Sequence, residues 1–400
     1  MPSATPKVTL KPGHVQPVWM GHPWVYAQAI DRIEGGATAG DEVSVHDPRG
    51  NLLGRGFYTP GSAIPVRLLT RDAETHLDAA FFRARIEAAT ALRASLGLPS
   101  AHTTGFRLVH AEGDGLPGLV VDKYGDALAV QVGTIGMKQR EAVIHEALWS
   151  VAKAKVIVDR TSAQTAKAEG FTPTGGVVRT TPGTELTAFE IVERDLRFQL
   201  PLELGQKTGF YFDQRQLRAR VEMLAHGKRV LDAYCYVGAF AIAAARGGAT
   251  EVVAVDESAL ALEVGAECAR ANGVGDKVKF AKQDARHALA EAHGGFDLVV
   301  LDPPRLAPTR GAREQALVAY AKLAENGCRA TRPGGILVLC SCSAAVDLGA
   351  LTRALAQGAT RANVTATVLE RWFQGADHPV PAAFGEGLYL KALVAHVERR

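Results

Sequence analysis

The chain has 400 residues, 47% hydrophobic and 22% charged, the proportions of a globular protein with two or three domains. Its formal net charge of +3 is too small to demand a polyanion partner, yet it does not exclude one, because local patches matter more than totals. No apolar run is long enough for a spanning helix, no signal-peptide pattern opens the chain, and the five cysteines (235, 268, 328, 340 and 342) follow no zinc or iron–sulfur spacing. Free thiols in a reducing cytosol, no resident metal and no membrane partner are therefore expected.

Residues 1–75 read as all-β. Runs at 41–45, 52–58 and 64–69 are separated by Gly, Pro and Asn turns, as in a small barrel. This stretch holds seven Lys/Arg and seven Asp/Glu, so it has no basic excess. Its His22-Pro23-Trp24-Val25-Tyr26 segment suits either a structural turn or an RNA contact. Helical spacing of Phe81, Phe82, Ile86 and Leu92 predicts a helix over 77–96. Short strands at 107–110, 118–121, 127–132 and 155–158, with a helix at 141–151, make a mixed α+β region with no visible catalytic set. From about residue 205 the pattern becomes βαβα. Strands are predicted at 229–232, 251–256, 278–280, 296–302 and 335–341, with helices such as 258–271 and 313–330 between them. This alternation predicts a doubly wound parallel sheet, and runs at 364–372 and 388–397 close the chain.

In such a sheet, ligands bind beyond the carboxyl ends of the strands. The first predicted strand ends in Asp232 and leads through Tyr234 and Gly238 into a helix, where backbone can approach a ligand closely. The second ends in Asp256, suited to ribose hydroxyls, and the third is followed by Asp284, suited to an adenine amino group. Each acid alone reads equally as a helix cap. Together, without the G-x-G-x-x-G of a pyrophosphate cofactor, they fit the cationic, phosphate-free S-adenosylmethionine, with Asp302 at the same edge.

The fourth strand ends Asp302-Pro303-Pro304-Arg305, where the prolines stop the sheet and stiffen the exit. That allows Asp302 to hold a planar base edge, beside Pro303 and Arg305. The fifth ends Cys340-Ser341-Cys342-Ser343. Strand alternation gives Cys340 a core position and puts Cys342 at or beyond the strand end. Carbon 5 of a pyrimidine is a poor nucleophile until a thiolate adds to carbon 6, so Cys342 is the candidate attacking group. His378 and Glu386 are equal candidates for the base that removes the C5 proton. The segment 207–229 carries six Lys/Arg against two Asp/Glu, and Lys207 and Arg215 within it are candidate phosphate contacts.

The chain also resembles the bacterial 23S ribosomal RNA large-subunit methyltransferase I family. The residues concerned are His22-Pro23-Trp24-Val25, Glu112 to Gly118, Lys207 to Arg215, Asp302-Pro303-Pro304, Ser341-Cys342-Ser343, Ala376 to Pro379 and Glu386 to Lys391, in order along nearly the whole chain. The resemblance implies an α/β class with a C-terminal class I, Rossmann-like methyltransferase domain (187–400). A PUA-like RNA-binding barrel (1–74) and a central α+β domain (75–186) would precede it. It also implies S-adenosylmethionine-dependent formation of 5-methylcytosine, with Cys342 as the attacking thiol and Asp302 in base recognition. The expected partner is 23S ribosomal RNA, naked or in a large-subunit precursor, in the cytoplasm, with a homodimer as a candidate assembly. Two departures stand out. The family's Tyr-Thr-Gly-Gly-Phe appears as Tyr236-Val237-Gly238-Ala239-Phe240, and Arg305 stands where many RNA cytosine-5 enzymes carry a second cysteine. Uridine-C5 methylation, guanine-N methylation and a non-catalytic RNA-binding assembly factor are the alternatives.

Overall fold

The computed structural model describes residues 5–204, 208–306, 311 and 313–400. The chain forms two compact units that it enters more than once. One contains the residues up to Val192, a short piece ending at Phe210, and Ala376–Gly387. The other contains Glu193–Leu204, Tyr211–Gly375 and Leu388–Arg400.

The first unit begins with a six-stranded sheet in the order Trp24–Val25, Val66–Thr70, Leu52–Tyr58, Glu42–His46, Lys7–Leu10, Ile30–Glu34. Period-two burial in Glu42–His46 sends Val43 and Val45 into a core with Val8, Leu10, Val25, Leu53, Val66 and Leu68. A five-stranded sheet follows, with the helices Ala79–Ser95 and Glu141–Ala152 contributing to its core. Asp78 caps the first helix by accepting from Phe81 N at 3.1 Å, and Phe81, Phe82 and Ile86 turn inward as their spacing predicts. Arg93 lies at the heart of this unit. Its guanidinium is fully buried, makes two bonds to Asp114 (2.5 and 2.8 Å) and donates to the carbonyls of Arg107 and Asp377. Asp377 in turn accepts from Arg107 N through its carboxylate, so the late segment is an integral part of the early unit.

In the second unit the apolar runs become a seven-stranded sheet: β1 (Arg229–Ala233), β2 (Glu251–Asp256), β3 (Val278–Lys282), β4 (Phe296–Leu301), β5 (Thr331–Ser341), β6 (Val364–Phe373) and β7 (Lys391–Arg399). Their spatial order is 3-2-1-4-5-7-6. Strands β1 to β5 run parallel, and β7 pairs antiparallel with both β5 and β6. The order reverses between β1 and β4, which opens the crevice where doubly wound sheets take their ligands. Central strands buried on both faces explain the unbroken apolar runs such as Leu298 to Leu301.

Among the described residues of the basic stretch 207–229, the four arginines pair with carboxylates, where the sequence suggests phosphate contacts. Lys207 lies outside the described residues. Arg215 and Arg218 sit on the inward face of the helix Arg215–Leu224, buried, and both donate to Glu193. Arg220 is paired with Glu370, and Arg229 with Glu251. A guanidinium carried into the interior must be matched there by a carboxylate, and counting charges along the chain cannot tell inward from outward.

Candidate cofactor and thiol site

The carboxyl ends of β1 to β3 carry the acids that the sequence places there. Asp232 is buried, and its Oδ2 accepts from Ala241 N at 3.0 Å, at the start of the helix Ala239–Arg246. Its Oδ1 is buried without a hydrogen-bond partner among the described residues. Burial pushes this carboxyl up to about 8, with Asp302 and Asp256 adding to the effect and the Ala241 bond opposing it. Between β1 and the helix the chain makes a tight turn with three left-handed residues, Tyr234, Tyr236 and Gly238. Cys235 N donates to Val255 O, and Tyr236 N donates to Asp256 Oδ2 at 2.9 Å. Asp256 also accepts from Ser258 N, while Ser258 itself caps the next helix. Asp256 is thus the clasp of the turn rather than the helix cap.

Gly238 has a φ of +69°, and a Cβ there would lie 2.5 Å from Phe280 Cε1. Gly238→Ala is expected to destabilise the fold by about 1–2 kcal/mol. Thermal denaturation of the variant, together with a reduced affinity for the cofactor in calorimetry, checks this.

Asp284 caps the helix Ala285–Glu291, and its carboxylate bonds Arg286 through both backbone and side chain, which lowers it to about 2. The structure thus gives Asp284 the capping role, and an adenine amino group would have to share this carboxylate with Arg286. Tyr234 lies in its field, its phenol pushed up by burial and then by Asp284.

Across the crevice, Asp302 follows β4, and its N–H reaches Ala233 O at 3.4 Å, which joins the end of β4 to the end of β1. Pro303 is buried, whereas Pro304 and Arg305 are exposed. At the end of β5, Ser341 and Ser343 are fully buried, and Ser343 Oγ lies 3.4 Å from Tyr320 Oη. Cys342 between them is half-buried, while the other four cysteines are buried. Burial pushes the Cys340 thiol well up, as a core position requires, and Asp302 adds to it.

Three neighbours were not read from the sequence. Tyr211 packs edge-on to Tyr236, with ring centroids 5.5 Å apart, and lies in the field of both Asp302 and Cys342. Tyr320 lies in the same field. Lys391 opens β7, buried, and its Nζ donates to Ser343 O at 2.9 Å. A lysine at the head of the apolar run Ala392 to Ala395 was the available signal.

The two candidate bases belong to the first unit. His378 is buried, with Nδ1 3.0 Å from Asp377 and its ring against His110. Glu386 is held by Tyr26 and His22, and Trp24 donates to Glu112. The aromatic segment at 22–26 is therefore engaged in internal contacts. Among the described residues no cluster of three or more His, Cys, Asp or Glu could hold a metal, and no helix is long and apolar enough to cross a membrane.

The acid set fits S-adenosylmethionine on its own chemistry, because the buried Asp232 Oδ1 has no hydrogen-bond partner among the described residues and a cationic group would satisfy it. Comparison with known proteins agrees. Residues 8–71 match a PUA-like domain family, and residues 168–385 match the S-adenosylmethionine-dependent methyltransferase family. A solved structure from Streptococcus mutans shares the fold, with a TM-score of 0.83 at 19% identity, covering 98% of this chain and 99% of that one. The Ribosomal RNA large subunit methyltransferase I of Shewanella denitrificans is 36% identical, covering 98% of this chain and 99% of its own. The protein of the same name from Photobacterium profundum is 35% identical, covering 98% of this chain and 100% of its own. The chain therefore belongs to the ribosomal RNA large subunit methyltransferase I family and is an S-adenosylmethionine-dependent methyltransferase with a PUA-like N-terminal domain.

Proposed function

We propose that this chain methylates carbon 5 of a cytosine in large-subunit ribosomal RNA through a covalent bond between Cys342 and carbon 6. The observation that carries this reading is the placement of the one half-exposed cysteine of five. Cys342 follows β5, two strands from Asp232 and across the crevice where the strand order reverses. At ordinary strand spacing that is about 10 Å, room for a flat ring between thiol and cofactor. The bound cofactor supplies an electrophilic methyl group. The Cys342 sulfur adds to C6 with its own electron pair, which makes C5 nucleophilic enough to take that methyl. A base then removes the C5 proton, and the S–C6 bond breaks with its pair returning to sulfur.

Asp302, stiffened by Pro303, suits cytosine because a carboxylate accepts from the N4 amino group, whereas uracil presents a carbonyl there. Arg305 is exposed and available to phosphate. The base must leave its stack to reach the thiol. The domain division proposed with this reading is 1–74 barrel, 75–186 central and 187–400 catalytic. The test is incubation with a 23S transcript carrying 5-fluorocytidine. A protein–RNA adduct stable to denaturation is expected, since fluorine at C5 blocks release. Trapping on 5-fluorouridine RNA instead would transfer the reading to uridine, and no adduct on either would overturn it.

A further inference from the structure

Lys391 is 3% exposed, and among the described residues it forms no ion pair with a carboxylate. A buried ammonium without an anion is costly, so its surroundings indicate what it is there to meet. In the β5–β7 register Lys391 stands opposite Ser341, and its Nζ donates to the carbonyl of Ser343. It is thus tied on both sides to the residues that flank Cys342. We propose, on the reading that Cys342 is the nucleophile, that Lys391 is a positioning residue whose positive charge favours the thiolate form of the Cys342 sulfur.

Several titratable groups face the Cys342 sulfur. Tyr211, Tyr320 and Cys340 lie in its field and stay neutral near pH 7, because burial raises all three. Asp302 acts on the same three groups and favours their neutral forms. On the Lys391 side, burial lowers the ammonium to about 8, Cys342 and then Asp347 favour its charge, and Arg305 opposes it. Lys391 is therefore a cation at pH 7 and loses that charge as pH rises through about 8. It takes no proton in the reaction. It favours sulfur as the attacking anion during addition, and again as the leaving anion when the S–C6 bond breaks.

The test is the rate of alkylation of Cys342 by iodoacetamide in the full-length protein as a function of pH, read by mass spectrometry of the modified peptide. In Lys391→Met the half-point of the profile should move up by about one to three pH units, and the rate at pH 7 should fall at least about tenfold. Lys391→Arg should keep the wild-type half-point. An unmoved profile in Lys391→Met overturns the proposal. So does an equal rise in Lys391→Arg, since that would make loss of shape and not loss of charge the cause. The readout needs no RNA, so it stands apart from the cytosine reading, which fails on its own if Cys342→Ala still methylates.

Discussion

Cys342→Ala is expected to lower methyl incorporation into large-subunit RNA by at least about 10³-fold, the scale of losing a covalent nucleophile. It should also abolish the 5-fluorocytidine adduct. The fold should hardly notice. The side chain is small and half-buried, and its buried serine neighbours keep their own bonds, so a change within about 1 kcal/mol is expected. Cys340→Ala is the opposite control. It removes a fully buried sulfur and should cost stability, while the remaining folded protein keeps its methylation rate. Radiolabelled methyl transfer with thermal melts of both variants separates the two cysteines. Undiminished transfer by Cys342→Ala would point to N-methylation of a purine.

Asp232→Asn should raise stability and weaken cofactor binding together. In the folded protein the Asp232 carboxyl titrates near 8, against an ordinary value of 3.8. Between those values the folded state binds more protons than the unfolded one, so stability falls as pH rises from about 4 to 8. Asn has the shape of the protonated acid and no such dependence. The variant should match wild type only below about pH 4, exceed it by about 1–2 kcal/mol near pH 5 and by several kcal/mol near pH 8, at about 1.4 kcal/mol for each pH step of one crossed in that window. A bound cation should reverse the preference and draw the proton off Asp232, so in wild type the affinity for S-adenosylmethionine should rise with pH up to about 8. Asn cannot ionise, so both that rise and most of the cofactor-induced gain in melting temperature should disappear. Melts at pH 5 and 8, with and without S-adenosylmethionine, give all four values. A variant less stable than wild type at pH 8 would contradict a carboxyl held protonated by burial.

The sequence was most legible where one strand or turn carries the information. Runs such as Glu251 to Asp256 announce both a buried strand and the acid at its end, because apolar residues stop where the chain leaves the sheet. The Gly238 turn was visible for the same reason, as a residue able to adopt a left-handed conformation before a helix. Edge elements were harder. Ile30–Glu34 is mostly exposed at the rim of its sheet and reads as Ile-Asp-Arg-Ile-Glu, with no apolar alternation to betray it. Arg215 reads as a surface charge, because a positive charge in sequence does not disclose Glu193 folding over it. Lys391 escaped for a related reason: its partner lies across a strand pair, 48 positions away in the chain.

The return of Ala376–Gly387 to the unit formed by the N-terminal residues bears on how the protein is made. A chain growing from its N-terminus reaches Asp377 some 270 residues after Arg107 has been added, yet Arg93 and Arg107 both bond that residue. The first part to be synthesised therefore cannot finish folding first. Until then a guanidinium destined for the interior lacks one of its acceptors, and a nascent chain interrupted before residue 376 is a natural target for chaperones and proteases.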